Sequence, residues 1–114
     1  MNPRAPLLLS VTLAGAALSG CGAASPAATS TGSGAVAIKN FAFGPTPISV
    51  TKGTAVTWTN RDSSVHTATA VDRSFDTGNI EPGKSAGHTF DTAGTFAYRC
   101  SIHQYMTGSI VVTG

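Results

Sequence analysis

The sequence predicts an all-β domain, an antiparallel Greek-key sandwich of about seven or eight strands. Apolar residues alternate with polar or small ones, turn-forming residues separate the alternating runs, and no capped amphipathic helix follows residue 34. Several short strands at this spacing, within about eighty residues, are typical of two sheets packed around one core.

The expected strands follow one another from residue 35 to the end of the chain. Each is marked by two apolar residues that are two positions apart, because a strand places such residues on one face. In order, these pairs are Val36 and Ile38, Ile48 and Val50, Val56 and Trp58, Phe96 and Tyr98, and Ile110 and Val112. The intervening turns are expected at 44–45, 52–53, 60–64, 77–79, 81–83 and 93–94.

The first 34 residues are expected to lie outside this domain. Residues 1–20 have the features of an export signal: a positive start at Arg4, an apolar run too short to span a bilayer, and small residues at its end. The signal ends in Leu18-Ser19-Gly20-Cys21, which resembles the lipobox of bacterial lipoproteins and implies cleavage before Cys21 and lipidation of its thiol. An ordinary signal peptide cut nearby is the alternative. Residues 21–34 would then be a flexible linker and 35–114 the folded domain.

The charge balance of the chain and its expected export limit the partners that it can have. The chain has seven Lys and Arg residues against five Asp and Glu residues, and loss of Arg4 with the signal leaves six. Phosphate binding needs a cluster of cations, and the sequence has none, so nucleic acid is not an expected partner. A lipid on Cys21 would place the protein at the cell envelope, on the periplasmic or extracellular face. We expect a monomer there.

The stretch CSIHQYM, residues 100–106, concentrates metal-binding side chains. It contains Cys100, His103 and Met106 at intervals of three, and a mature chain without its signal has no other Met. A lipidated Cys21 would leave Cys100 without a disulfide partner, and a lone thiol in an oxidising compartment is a liability unless it is occupied. Because strands are expected on both sides, these residues must share a tight loop, which can direct several side chains to one point.

These ligand types favour copper over zinc. Thiolate and imidazole suit both metals, whereas a thioether is a good ligand for copper and a poor one for zinc. His66 follows a turn and precedes an expected strand, so it can supply a further ligand, although a single His after a polar turn is often solvated. His88 is the competitor, but it shares its strand face with Phe90 and is better explained as a structural residue.

The chain resembles the cupredoxins, in particular the amicyanin and plastocyanin branch. The resemblance covers 35–114 and rests on four features in chain order. These are Val56-x-Trp58-x-Asn60 followed by a turn and His66, then Phe75 and Gly78, then Pro82-Gly83, and finally Gly94-Thr95-Phe96-x-Tyr98-x-Cys100-x-x-His103-x-x-Met106-x-Gly108-x-Ile110-x-Val112. It implies one copper ion cycling between Cu(I) and Cu(II), bound by His66, Cys100 and His103 with Met106 as axial ligand. Thr67 stands where these relatives carry Asn, which puts the hydrogen bonding between the ligand loops in doubt.

The resemblance also implies an electron carrier rather than an enzyme. Four protein ligands leave no open position for a substrate. An apolar patch of Val65, Ile102 and Tyr105 is expected around His103, where transient redox donors and acceptors would dock. Copper storage or delivery is the alternative function, although such proteins favour sites rich in Met or His. A metal-free adhesion-type sandwich is a third possibility.

Overall fold

The computed structural model describes residues 30–31 and 34–114, which form two packed β-sheets. Nine strands are assigned within these residues: β1 (Ser30–Thr31), β2 (Ala35–Lys39), β3 (Ala42–Gly44), β4 (Ile48–Thr51), β5 (Thr54–Asn60), β6 (Thr69–Ala70), β7 (Ser85–Phe90), β8 (Gly94–Arg99) and β9 (Thr107–Thr113). One sheet has the order β1-β4-β9-β8-β6 and the other the order β3-β2-β5-β7. The predicted sandwich is confirmed. Within the described part of the chain, no helix is long and apolar enough to cross a membrane.

The strand pairing is mixed rather than wholly antiparallel. The pairs β1/β4, β4/β9 and β2/β5 are parallel, whereas the other neighbouring strands are antiparallel. A parallel pair requires a crossover connection between its strands. Here β4 belongs to the opposite sheet, so the chain leaves the second sheet after β3 and returns to it at β5, beside β2 and in the same direction. Ser30–Thr31, in the expected linker, pair with β4.

The alternating apolar residues fill the space between the sheets. All five apolar pairs identified in the sequence lie in β2, β4, β5, β8 and β9, and the described strands bury nine of those ten side chains, with Phe96 only partly covered. Trp58 is completely buried, stacks on Phe75 with ring centroids 5.6 Å apart, and meets Tyr98 edge to face at 5.4 Å. Burial of such large side chains is the main stabilising contribution in a domain of this size.

Gly108 allows Tyr98 to enter this core. The two residues are direct partners across the antiparallel pair of β8 and β9. A Cβ atom at position 108 would collide with the ring and the hydroxyl group of Tyr98. The Tyr98 ring therefore packs against the backbone of Gly108, and its buried position depends on the absence of a side chain there.

The buried hydroxyl group of Tyr98 makes stability depend on alkaline pH. Burial raises the pKa of Tyr98 to about 12 from its ordinary value of 10.0. Because the folded pKa is the higher one, the unfolded chain loses this proton first, so stability is complete below about pH 10 and falls as pH rises toward 12. A shift of this size corresponds to about 3 kcal/mol.

A Tyr98→Phe variant is expected to lack this alkaline loss. Within the described residues the hydroxyl group has no hydrogen-bond partner, so its removal should change the free energy of unfolding at pH 7 by less than about 1 kcal/mol. Denaturant unfolding of both proteins between pH 8 and 12 measures the difference. Parallel losses of stability in the two proteins would show that Tyr98 is not responsible.

Candidate metal centre

The loop between β8 and β9 is tight, as its sequence predicts. β8 ends at Arg99 and β9 begins at Thr107, so 100–106 reverse the chain in seven residues. The Cys100 N–H donates to the Met106 carbonyl at 3.0 Å, and the Met106 N–H donates to the His103 carbonyl at 2.9 Å. These bonds bring the three candidate ligands of this loop together.

His66 reaches the same place from the segment between β5 and β6. β5 ends at Asn60, whose buried side chain donates to the carbonyl groups of Ser64 at 2.7 Å and Ile80 at 2.8 Å. The backbone of His66 pairs with that of Ile80 in an isolated antiparallel bridge. Since Ser64 and the backbone of His66 are both fastened in this way, the fully buried His66 ring has little freedom to move.

Three ligand atoms converge on one point. The Cys100 sulfur lies 3.8 Å from His66 Nδ1 and 3.8 Å from His103 Nδ1, and the three ligand atoms all lie within 4.8 Å of one another. A sulfur and a nitrogen bound to one metal ion are about 3.5–3.7 Å apart when the bonds are about 2.3 and 2.0 Å long and form angles of about 110–120°, which is close to the observed separations. The side chain of Met106 is buried in the same loop. The donor set therefore fits a single soft metal ion.

A comparison with known proteins identifies the family. A model of the cupredoxin-like domain matches residues 8–112, which is nearly the whole chain. The chain belongs to the cupredoxin-like family. Its site of His66, Cys100, His103 and Met106 is arranged for one copper ion, as in its relatives.

Individual relatives support the same assignment. Amicyanin-alpha of Methylorubrum extorquens is 28% identical over 86 residues, which are 71% of this chain and 72% of that protein. A purple cupredoxin from Nitrosopumilus maritimus is 27% identical with a TM-score of 0.66, over 69% of this chain and 98% of that one. A copper-containing nitrite reductase from Thermus scotoductus SA-01 is 29% identical with a TM-score of 0.66, over 70% of this chain but only 22% of the reductase.

Thr67 links the two ligand loops in this cupredoxin. Its backbone N–H donates to the Cys100 sulfur at 3.3 Å, and its side-chain oxygen accepts a hydrogen bond from the Ser101 N–H at 2.8 Å. The same hydroxyl group lies 3.0 Å from the hydroxyl groups of Ser101 and Thr69. Thr67 stands in place of an expected Asn, and its side chain still connects the segment of His66 to the loop of Cys100.

Asp62 contacts the outer nitrogen of His66 and was not identified from the sequence. Its Oδ2 atom lies 2.9 Å from His66 Nε2, and its side chain is only 9% exposed. Burial opposes ionisation of this carboxyl group, but hydrogen bonds from the backbone N–H groups of Phe41 and Asn40 and the neighbouring His66 outweigh it, so the pKa of Asp62 is lowered. An acidic residue four positions before a His in a polar turn is too common to have indicated this contact.

Phe41 is a second residue that the sequence did not indicate. It lies in the two-residue turn between β2 and β3, where Asn40 and Phe41 have φ angles of 52° and 56°. Its ring meets the rings of His66 and His103 edge to face, with centroids 5.3 and 5.1 Å apart. A left-handed conformation costs a residue with a side chain about 1–2 kcal/mol, so this placement is strained.

The side chains expected to surround His103 differ in exposure. Tyr105 is 71% exposed, with its ring centroid 6.2 Å from that of His103, and Ile102 is 49% exposed. Val65, next to the ligand His66, is half-buried. Phe41, which is 40% exposed, adds an apolar side chain to this end of the sandwich.

His88 is not part of the metal centre. His88 stacks on Phe75 with ring centroids 5.0 Å apart, so the prediction of a structural role agrees with its packing. It does not belong to the cluster of possible ligands found in the described residues. Cys21, the expected signal at 1–20 and most of the expected linker lie outside the residues that the structure describes.

Proposed function

We propose that this cupredoxin is a type 1 blue copper protein that transfers single electrons between redox partners at the outer face of the cell membrane. The observation that carries the proposal is the convergence of Cys100, His66 and His103, with Met106 buried in the same loop. Two imidazoles, one thiolate and a thioether are the ligand set of blue copper electron-transfer sites. Bound copper supplies a couple that gains or loses one electron.

The protein contributes a fixed arrangement of ligands. Cu(I) and Cu(II) favour different geometries, so transfer is slowed if the ligands rearrange when the charge changes. Backbone hydrogen bonds hold Cys100, His103 and Met106 in one loop, and Thr67 connects this loop to His66. Such preorganisation keeps the same ligands in place in both charge states.

An electron-transfer role without catalysis agrees best with this site. Four protein ligands leave no position for a substrate, whereas catalytic metal sites keep one open. The nitrite reductase that resembles this chain is a much longer protein, of which the chain spans 22%. Storage or delivery of copper remains the alternative, but the ligand His66 is fully buried, which opposes easy exchange of the metal.

Copper loading tests the proposed function. Purified protein titrated with Cu(II) should bind one equivalent, turn intensely blue, lose the colour on reduction and regain it on oxidation. Copper should stay bound through repeated cycles in the presence of a competing chelator. Ready loss of copper to the chelator would favour storage or delivery, and a protein that stays colourless because it binds no copper would contradict both functions.

The exposed apolar side chains around His103 are proposed as the docking surface for redox partners. We expect Tyr105→Asp to slow electron self-exchange between oxidised and reduced copies by at least about 10-fold, because like charges facing each other cost several kcal/mol. Measurement of line broadening by NMR in mixtures of the two forms gives this rate.

Thr92→Asp is the matched control for the docking surface. It adds the same charge at an exposed position between β7 and β8, at the opposite end of the sandwich. Val65→Asp tests the half-buried side of the surface in the same way. Equal rates for Tyr105→Asp and Thr92→Asp would reject this surface while leaving the copper site unaffected.

Attachment to the membrane is a separate part of the proposal. Lipid on Cys21 would hold a monomer at the envelope while the copper site remains free to meet its partners. Mass spectrometry of the mature N-terminus from an expressing bacterium decides this: a diacylglyceryl group on Cys21 supports the anchor. A mature chain that begins elsewhere, with unmodified Cys21, contradicts it.

A further inference from the structure

The carboxylate of Asp62 joins two parts of the molecule. Its Oδ1 atom accepts the Asn40 N–H at 2.7 Å, and its Oδ2 atom accepts the Phe41 N–H at 2.9 Å and lies 2.9 Å from His66 Nε2. The backbone N–H of Asp62 itself donates to the side chain of Asn60 at 2.9 Å. This one side chain therefore ties the turn between β2 and β3 to the segment that carries the ligand His66.

The contact with Asp62 selects one form of the His66 ring. A carboxylate accepts a hydrogen bond, so Nε2 carries the hydrogen and Nδ1 presents its lone pair. Nδ1 is the atom that faces the Cys100 sulfur at 3.8 Å. A carboxylate on the far nitrogen also makes an imidazole a stronger ligand.

The turn that Asp62 fastens is not built for its own stability. Two-residue turns with positive φ at both positions favour Asn followed by Gly. Here Asn40 occupies the first position, but Phe41 occupies the second, where Gly would relieve the strain. Phe41 is 40% exposed, and its ring contacts the imidazole rings of both His66 and His103. Phe41 is unfavourable for the turn, but it contacts two candidate metal ligands. This combination indicates a role at the metal.

We propose that Asp62 is a positioning residue of the copper site, which orients His66 and fastens the strained turn so that Phe41 covers both imidazoles. Asp62 does not contact copper and acts through His66 and through the Asn40–Phe41 turn. Its negative charge beside a ligand stabilises Cu(II) more than Cu(I), and the cover of Phe41 slows loss of the metal. This inference rests on the proposed function, since it concerns how the same copper site is held.

The first test compares Asp62→Asn with Asp72→Asn. An amide has only one accepting oxygen, so Asn at position 62 cannot accept all three N–H groups. Asp72 is the matched control, because its carboxylate also accepts a backbone N–H, that of Ser74 at 2.9 Å, in an exposed turn. We expect Asp62→Asn to lower Cu(II) affinity by about 10- to 100-fold and Cu(I) affinity by less, with no change in Asp72→Asn.

The reduction potential reports the same difference independently. If a substitution weakens Cu(II) binding ten times more than it weakens Cu(I) binding, the reduction potential rises by about 59 mV. Equal potentials and affinities for Asp62→Asn, Asp72→Asn and the parent protein would overturn the proposal. If the parent protein fails to form a blue, reversible copper site, the proposed function fails instead, so the two failures are distinguishable.

Two further measurements avoid dependence on a stable Asp62 variant. A long-range ¹H–¹⁵N spectrum of the copper-free parent protein at pH 8 should show hydrogen on Nε2 of His66, and hydrogen on Nδ1 would overturn the orienting role. Phe41→Gly should release copper to a chelator about 10-fold faster without lowering the melting temperature of the copper-free protein, because Gly suits the turn. Unchanged copper release in this variant would overturn the covering role.

Discussion

Gly108→Ala is expected to destabilise the domain by about 3 kcal/mol or more. The new methyl group would occupy the position of the Tyr98 ring, so either the ring leaves the core or β8 and β9 move apart. Both outcomes disturb the pair of strands that carries the ligand loop between them. The loss is a large part of the 5–15 kcal/mol that holds a typical domain together.

Denaturant unfolding of the copper-free protein measures this effect. Gly44→Ala is the control, because a Cβ atom at position 44 meets no atom within 4 Å and the residue has no positive φ angle. The double variant Gly108→Ala with Tyr98→Leu should recover part of the loss, since the two residues occupy the same space. A loss for Gly108→Ala as small as that for Gly44→Ala would contradict the close contact with Tyr98.

Cys100→Ser is expected to remove the blue colour and to weaken copper binding by more than about 100-fold. Loss of an outer partner of a ligand lowers metal affinity by about 10- to 100-fold, and Cys100 is the ligand itself. The Nδ1 atoms of His66 and His103 both lie 3.8 Å from its sulfur. A serine oxygen is a harder donor and does not replace a thiolate toward copper.

The copper-free form of this variant separates binding from folding. The Thr67 N–H can donate to a serine oxygen as it does to the Cys100 sulfur, so the fold should remain stable within about 2 kcal/mol. Visible spectra and competition with a chelator then report the site alone. A Cys100→Ser protein that is still intensely blue would remove Cys100 from the ligand set.

The sandwich could be predicted from the sequence because its strands have one buried face. Val56 and Trp58 illustrate the reason: these two residues of β5 face the core, and Thr57 between them is exposed. The parallel neighbours β2 and β5 could not be predicted, because alternation records which face is buried and not which strand lies alongside. The order and direction of the strands in a sheet depend on where the chain crosses from one sheet to the other.

The candidate site was predictable for the residues with unusual chemistry. Cys100, His103 and Met106 are rare side chains placed together, so their spacing indicates a metal loop. Asp62 and Phe41 are ordinary residues far from that loop in sequence. Their role depends on a turn that returns to the metal centre across the end of the sandwich. Only the three-dimensional arrangement brings them to His66.

X-ray absorption at the copper edge, recorded on the oxidised and the reduced protein, tests the central claim most directly. The convergence of Cys100, His66 and His103 predicts one sulfur and two nitrogen atoms at bonding distance in both charge states, with a longer contact from the second sulfur. Copper surrounded by oxygen atoms, or a short sulfur contact found in only one of the two states, would contradict it.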